Sequence, residues 1–226
     1  MLQWPVRDPA MSNTPGHMSF FELLEALQQP GCALCRLVAG GTRRRLEALL
    51  YESVNDVGFR ALWRKTRGYC HRHSWMLADT GHTLGLAILY EALIEHWGER
   101  LLEAAPALPC PVCSDEQRAG RDHLDTLIKG WDEPRLAEAW AASDGLCGPH
   151  ARLARQVARP AAVRDAIAAH SAKRLCEMTS DLRALIESFD YRHEPASDER
   201  VKLAWHRAME KIIGHRDLPE PPHRRR

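Results

Sequence analysis

Cysteine and histidine are the residues whose spacing in this chain points to chemistry. Seven cysteines and twelve histidines occur among 226 residues. Six of the cysteines fall in four short motifs: CALC at 32–35, GYCHRH at 68–73, CPVC at 110–113 and GLCGPH at 145–150. A CxxC or CxxH turn holds two thiolate or imidazole ligands close enough to share one metal ion. The pattern predicts metal binding.

One CxxC and one CxxH motif together supply three thiolates and one imidazole, which is a complete tetrahedral set. Pairing the motifs that follow each other in the sequence predicts two sites, formed by Cys32, Cys35, Cys70 and His73 and by Cys110, Cys113, Cys147 and His150. The crossed pairing, in which each CxxC joins the CxxH of the other copy, uses the same eight residues and stays an alternative. His71 is a fallback for His73, but Gly148 occupies the equivalent position in the second copy, so the repeat favours His73.

Zinc is the metal that this donor set favours, with two ions per chain. Because four protein ligands leave no open position for a substrate, such zinc would be structural. An iron–sulfur cluster is the alternative, since cysteine thiolates hold these clusters and histidine can replace one of them. A dithiol–disulfide or sensor function for the CxxC motifs is less well supported, because redox CxxC motifs normally open a helix after a strand.

The four motifs belong to an internal repeat. Thirty-four residues separate Cys35 from Cys70, and thirty-three separate Cys113 from Cys147. Apolar residues at helical spacing follow each CxxC motif at the same distances, and a tryptophan precedes the cysteine of each GxC motif by seven residues (Trp63 and Trp140). Two copies of a unit of about 77 residues explain these coincidences.

The elements that must position the motifs are predicted to be helices. Apolar residues recur at i, i+3 and i+4, and no segment shows sustained alternation of β-branched residues. The expected helices are one opened by Ser19 and others over 36–53, 83–103, 114–129, 134–142 and 161–188, with further short helices capped by Asn55 or Asp56 and near the C-terminus. Gly40 and Gly41 mark a potential interruption. The fold class is predicted to be all-α, a duplicated helical unit with an N-terminal helix and a C-terminal helical appendage.

Three regions are expected from composition. Residues 1–17 form a flexible N-terminal extension, and residues 18–190 form the duplicated domain, with its copies at about 32–105 and 110–190. Residues 191–226 form a linker, a short helix and a basic tail.

Charge and hydropathy argue against some classes of function. Lys and Arg number 31 against 30 Asp and Glu, and this balance argues against a protein that coats nucleic acid. No secretory signal and no apolar stretch of about 20 residues is visible, so a cytoplasmic protein without a membrane partner is expected. A protein partner is predicted, whereas the oligomeric state and any reaction stay open.

Other residues are interpreted conservatively. Cys176 is expected to be a buried thiol, and Trp63 and Trp140 are expected to pack in the core. Glu91 is expected to face solvent or an ion pair, and the basic run 43–45 is expected to be solvated.

The chain resembles a bacterial and archaeal family of unknown function with duplicated CxxC and GxCxxH motifs. The resemblance rests on CALC, YESVND (51–56), GYCHRH, GLAILYE (85–91), CPVC and GLCGPH, and covers about residues 18–213. It implies metal-ligand roles for the eight residues named above and no known activity. An enzyme with a site between the copies, near 51–56 and 85–91, is a third hypothesis.

Overall fold

The structure is a computed structural model that describes residues 17–100 and 108–216. The described residues form helices and no strands, which confirms the all-α prediction. The helices are α1 (His17–Leu27), α2 (Ala33–Glu52), α3 (Val57–Thr66), α4 (His71–Ala78), α5 (Thr83–Arg100), α6 (Pro111–Lys129), α7 (Pro134–Ala142), α8 (Gly148–Val157), α9 (Ala161–Glu187), α10 (Glu199–Lys202) and α11 (Ala204–Ile213).

Each of the four motifs lies at the start of a helix. The first cysteine of each motif is the N-cap residue with extended backbone, and the helices that follow are α2, α4, α6 and α8. The side chain one helical turn further along therefore returns to the same side as the first cysteine. This local geometry brings the two ligands of each motif together.

The long helices α2 and α6 lie against each other in antiparallel orientation. Arg45 of α2 forms an ion pair with Asp115 of α6, whereas Val38, further back on α2, lies beside Gly120, further along α6. The beginning of each helix is consequently next to the later half of the other. Thr42 contacts Glu116 and Val38 lies beside Gly120, so equivalent positions of the two copies face each other in opposite order across this helix pair.

Two apolar cores lie at opposite ends of the helix pair. Core 1 joins α1 and the start of α2 to the helices of the second copy, and it contains Leu34, Leu124 and Trp140. Core 2 joins the later part of α2 and the start of α6 to α3, α4 and α5, and it contains Leu46, Trp63 and Leu89. Trp63 and Trp140 are both buried, as predicted from the repeat.

Two further helices follow α9 near the C-terminal end of the described residues. Helices α10 and α11 pack on α9, and α11 also packs on α8. The contact with α8 is close at Gly148, where a Cβ atom would lie 2.5 Å from the backbone carbonyl oxygen of Ile212. The equivalent residue of the first copy, His71, is exposed.

Several details differ from the sequence predictions. Helix α1 begins at His17, ahead of the predicted cap at Ser19, and α2 continues through Gly40 and Gly41 without interruption. Cys176 is exposed, so the prediction of a buried thiol is wrong. The buried residues of α9 are Val163, Ile167 and Met178, and the helical period places Cys176 on the opposite face. Asp56 caps α3 as expected, its carboxylate accepting from the backbone N–H of Phe59 at 2.6 Å.

Parts of the predicted organisation lie outside the described residues, namely 1–16 of the N-terminal extension, the stretch 101–107 and the tail from 217 onwards. The domain boundaries stay predictions. In the described ranges, no helix combines the length and the apolar character that crossing a membrane requires.

Candidate metal centres

Centre 1 is formed by Cys32, Cys35, Cys147 and His150. The imidazole Nδ1 of His150 lies 3.5, 3.5 and 3.3 Å from the sulfurs of Cys32, Cys35 and Cys147 respectively. The sulfurs of Cys35 and Cys147 are 3.4 Å apart. Cys35, Cys147 and His150 are buried, and Cys32 is half-buried.

Centre 2 is formed by Cys70, His73, Cys110 and Cys113. Nδ1 of His73 lies 3.2 Å from the sulfur of Cys70 and 3.5 Å from the sulfurs of Cys110 and Cys113. The sulfurs of Cys70 and Cys113 are 3.6 Å apart. Only His73 is fully buried here, and all three cysteines are half-buried.

The spacing of the donor atoms fits one tetrahedral ion in each centre. With Zn–S bonds of ~2.3 Å and a Zn–N bond of ~2.0 Å, tetrahedral geometry separates two sulfurs by about 3.8 Å and a sulfur from the nitrogen by about 3.5 Å. All ligand atoms of each centre lie within 4.8 Å of one another. All seven cysteines are free, and sulfurs 3.4 to 3.6 Å apart are not bonded as a disulfide. The two groups can therefore each hold a metal ion.

The structure brings all eight predicted residues into these two groups, but it pairs them across the copies. The predicted pairing of consecutive motifs is wrong, and the crossed alternative is the one observed. The reason is the uninterrupted α2: twenty residues carry the chain about 30 Å away from Cys32, whereas the ten residues of α3 return it by only about 15 Å. The next motif is thus placed beside the start of α6.

In the metal-free chain, thiolate and imidazolium stabilise each other within each centre. Burial lowers the pKa of His150, but hydrogen bonds with the thiolates of Cys147 and Cys32 outweigh this effect and raise its pKa to about 10. Burial raises the pKa of Cys110, but hydrogen bonds from His73 and from the backbone lower it to about 6. Without a metal ion, each centre therefore pairs a thiolate with an imidazolium, whereas hydrogen bonds with Cys147 and Cys32 raise the pKa of Cys35 and burial raises the pKa of Cys113.

A carboxylate that the sequence interpretation missed belongs to centre 2. Glu116 is only 3% exposed, and its Oε2 lies 3.1 Å from Nε2 of His73. Arg72 also forms an ion pair with Oε2, and the hydroxyl of Thr42 donates to Oε1 at 3.0 Å. The signal that could have revealed Glu116 is its place in the buried stripe of α6, between Val112 and Gly120.

Centre 1 is bordered instead by a cavity and a buried lysine. Cys32, Cys35 and Cys147 are on the wall of a cavity of about 830 Å³ between α1, α2, α9 and the C-terminal helices. Lys211 of α11 lines the same cavity and donates to the carbonyl oxygen of Asp144 at 2.5 Å. Burial lowers its pKa, and the charges of Cys32, Asp144 and Cys147 oppose that shift.

The cavity does not lie where the enzyme hypothesis expects a site. None of its lining residues comes from 51–56 or 85–91, where a site between the copies was expected. Glu91 is exposed, and Arg43, Arg44 and Arg45 are exposed as predicted for a solvated face. No reaction is assigned to either segment.

Comparison with known proteins gives a family but no activity. The chain is 26% identical over 206 residues to the "Uncharacterized 23.9 kDa protein in xynA 3'region" of Caldicellulosiruptor sp. (strain Rt8B.4), a match that covers 85% of this chain and 99% of the relative. No solved structure matches the chain.

A family model described as "Family of unknown function (DUF6062)" matches residues 105–218, which is half of the chain and includes the second CxxC and CxxH motifs. The chain therefore belongs to this family, in agreement with the resemblance predicted from its motifs.

Proposed function

We propose that this protein binds one Zn²⁺ ion in each of its two centres and that the ions serve as structural crosslinks between the copies. The observation that carries the proposal is the pair of donor sets, each with three sulfurs and one imidazole nitrogen at tetrahedral spacing. When bound, the ion would supply a four-coordinate crosslink with no position left for a substrate.

The compactness of the donor sets favours a single ion over an iron–sulfur cluster. In a [4Fe–4S] cluster the ligands bind different irons and surround the whole cluster. Donor atoms that all lie within 4.8 Å of one another leave room for one ion between them. Zn²⁺ suits this arrangement because it accepts tetrahedral sites of sulfur and nitrogen without a geometric preference of its own.

A structural role follows from where the centres lie. Centre 1 joins the start of α2 to the start of α8, and centre 2 joins the start of α6 to the start of α4. Each centre thus links helices whose motifs are more than thirty residues apart in the sequence. Because such a site is not preformed in the unfolded chain, metal affinity contributes directly to folding stability.

Metal content and spectrum test the proposal. Protein purified without oxygen should contain two zinc ions per chain and show no visible absorbance. Removing the metal with a chelator should lower the melting temperature, and added Zn²⁺ should restore it. Absorbance near 400 nm that bleaches with dithionite would instead support the iron–sulfur alternative, and protein without any bound metal would contradict both.

The proposal includes a protein partner, and α11 offers a surface for it. Trp205, Met209, Ile212 and Ile213 are each 53 to 62% exposed, and their spacing places them on one face of the helix. An apolar face of this kind fits a partner helix with an apolar face of its own.

Matched variants test the partner. A protein partner that binds wild-type protein should no longer bind the double variant Met209→Glu with Ile212→Glu, while the zinc content of the variant is unchanged. Lys202→Ala, at an exposed position of α10 outside this apolar face, should retain the binding. A partner that binds the double variant as well as it binds wild type would show that the interaction surface lies outside this face of α11.

A further inference from the structure

We propose that Glu116 is a positioning residue for centre 2, where its carboxylate fixes the His73 imidazole for metal binding through an interaction that centre 1 lacks. The inference rests on the proposed function, since it assigns a residue to one of the two metal centres. Glu116 is not a donor to the ion; it acts on the far side of the imidazole ring.

The contacts of Glu116 leave the carboxylate one orientation. Oε1 accepts a hydrogen bond from the hydroxyl of Thr42 at 3.0 Å, which comes from the neighbouring helix α2. Oε2 faces Nε2 of His73 at 3.1 Å and is paired with the guanidinium of Arg72. With both oxygens engaged and the side chain almost completely buried, the carboxylate is held rigidly at the imidazole.

The chemistry of the ring explains why this contact matters to the metal. A cation bound at Nδ1 leaves the proton of a neutral imidazole on Nε2, so Nε2 becomes a hydrogen-bond donor. Arg72 Nη2 is 2.5 Å from this atom, but a guanidinium cannot accept a hydrogen bond. Glu116 is therefore the acceptor, and a carboxylate in this position orients a histidine ligand and increases its basicity.

Centre 1 provides an internal comparison in the same molecule. Counted from the first cysteine of the adjacent CxxC motif, the position of Glu116 is occupied by Val38, and the position of Thr42 is occupied by Gly120. A Cβ atom on Gly120 would lie 3.3 Å from Nε2 of His150, so the ring there faces bare backbone.

The position of Arg72 is occupied by Pro149 in the second copy. All three polar partners of centre 2 thus have apolar or absent side chains at centre 1. Among the described residues, the hydrogen bonds of His150 involve Nδ1 and none involves Nε2.

Competition for Zn²⁺ against a chromogenic chelator tests the assignment in the full-length protein. Glu116→Ala should lower the affinity for one of the two zinc ions by about 10- to 100-fold, the range found when a group hydrogen-bonded to a metal ligand is removed. Glu116→Gln should have an intermediate effect, because its amide oxygen can still accept from Nε2. Val38→Ala, the matched change at centre 1, should leave both affinities unchanged.

A spectroscopic readout separates positioning from a general loss of stability. With ¹¹³Cd²⁺ in place of zinc, each centre should give its own resonance, and both Glu116 variants should shift only the resonance that Cys110→Ser removes. Variants that melt earlier but bind both zinc ions as tightly as wild type would overturn the inference and leave the proposed function intact. Wild-type protein without zinc would overturn the proposed function and the inference with it.

Discussion

Centres 1 and 2 have the same donors in the same order along their helices, yet their surroundings differ in three ways. Centre 2 has a buried carboxylate at its histidine, whereas centre 1 has the backbone of Gly120 there. Three half-buried cysteines surround centre 2, whereas centre 1 has two buried ones. Helix α11 packs on α8 at Gly148, beside centre 1, whereas the equivalent residue beside centre 2, His71, is exposed.

The charge balance of the centres differs as well. Three thiolates and a neutral imidazole around Zn²⁺ carry a net charge of −1. At centre 1 a nearby positive charge is that of Lys211, on the C-terminal helix α11. At centre 2 it is Arg72, which lies between the two ligands of the CxxH motif itself. The duplication has kept the donors while the surroundings of each centre diverged.

The largest expected effect concerns which motifs share an ion. Cys35→Ser with Cys147→Ser removes two donors from centre 1 and none from centre 2, so one tightly bound zinc should remain. Cys35→Ser with Cys70→Ser removes one donor from each centre, so tight binding should be lost at both. Zinc retained after passage over a chelating resin, measured by mass spectrometry, distinguishes the variants. The reverse result would restore the pairing within copies.

A second prediction concerns the pH dependence of zinc affinity, which should be similar at the two centres. The pKa values of about 9 for His73 and about 10 for His150 mean that both imidazoles are protonated in the metal-free protein at pH 7. Zn²⁺ must displace these protons, so affinity should rise about tenfold per pH unit for each proton released. The slope should decrease above the imidazole pKa values without reaching zero, because the pKa values of Cys35 and Cys113 are raised and their thiol protons must also be displaced. The direction of the pH dependence follows: a decrease in pH lowers the affinity and releases the metal.

Titration calorimetry in buffers of different ionisation enthalpy measures those protons. The centres should each release at least the imidazole proton at pH 7. An observed enthalpy that is the same in every buffer would contradict the prediction. If only one centre released its imidazole proton, the similarity assumed here would fail.

The sequence was sufficient for much of this architecture. The helical periodicity, the repeat and the eight cysteine and histidine residues are all local features, and the structure assembles those residues into two groups of four. The pairing could not be predicted because it depends on the relative lengths of α2 and α3 and on the continuity of α2 through Gly40 and Gly41. Glu116 was missed because its partners come from other helices, although its position in an apolar stripe was visible.

A third prediction compares the two cores. Leu34 in core 1 and Leu89 in core 2 are both completely buried, and truncation of a buried leucine to alanine costs about 2–5 kcal/mol. Because α2 and α6 contribute buried residues to both cores, Leu34→Ala and Leu89→Ala should each lower the stability of the whole domain in one cooperative transition. Denaturant unfolding followed by circular dichroism tests this; two separate transitions would show that the cores unfold independently.

A smaller effect is expected where α11 covers only one copy. Gly148→Ala places a Cβ atom 2.5 Å from the carbonyl oxygen of Ile212, so α11 must shift, with a cost of about 1–3 kcal/mol. His71→Ala at the equivalent, exposed position should be nearly neutral. Thermal unfolding of the zinc-loaded proteins compares the two, and equal melting temperatures would mean that the α8–α11 contact contributes little.

The smallest predicted effect concerns the hydroxyl of Thr42. Its removal tests whether the orientation of the Glu116 carboxylate matters, because the carboxylate itself stays in place. Thr42→Val removes the hydrogen bond to Oε1 but leaves the carboxylate paired with Arg72 and facing His73. The loss of one hydrogen bond, about 0.5–1.5 kcal/mol, corresponds to a decrease in the zinc affinity of centre 2 of at most about tenfold. A larger loss for Thr42→Val than for Glu116→Ala would show that Thr42 acts on the centre other than through the carboxylate.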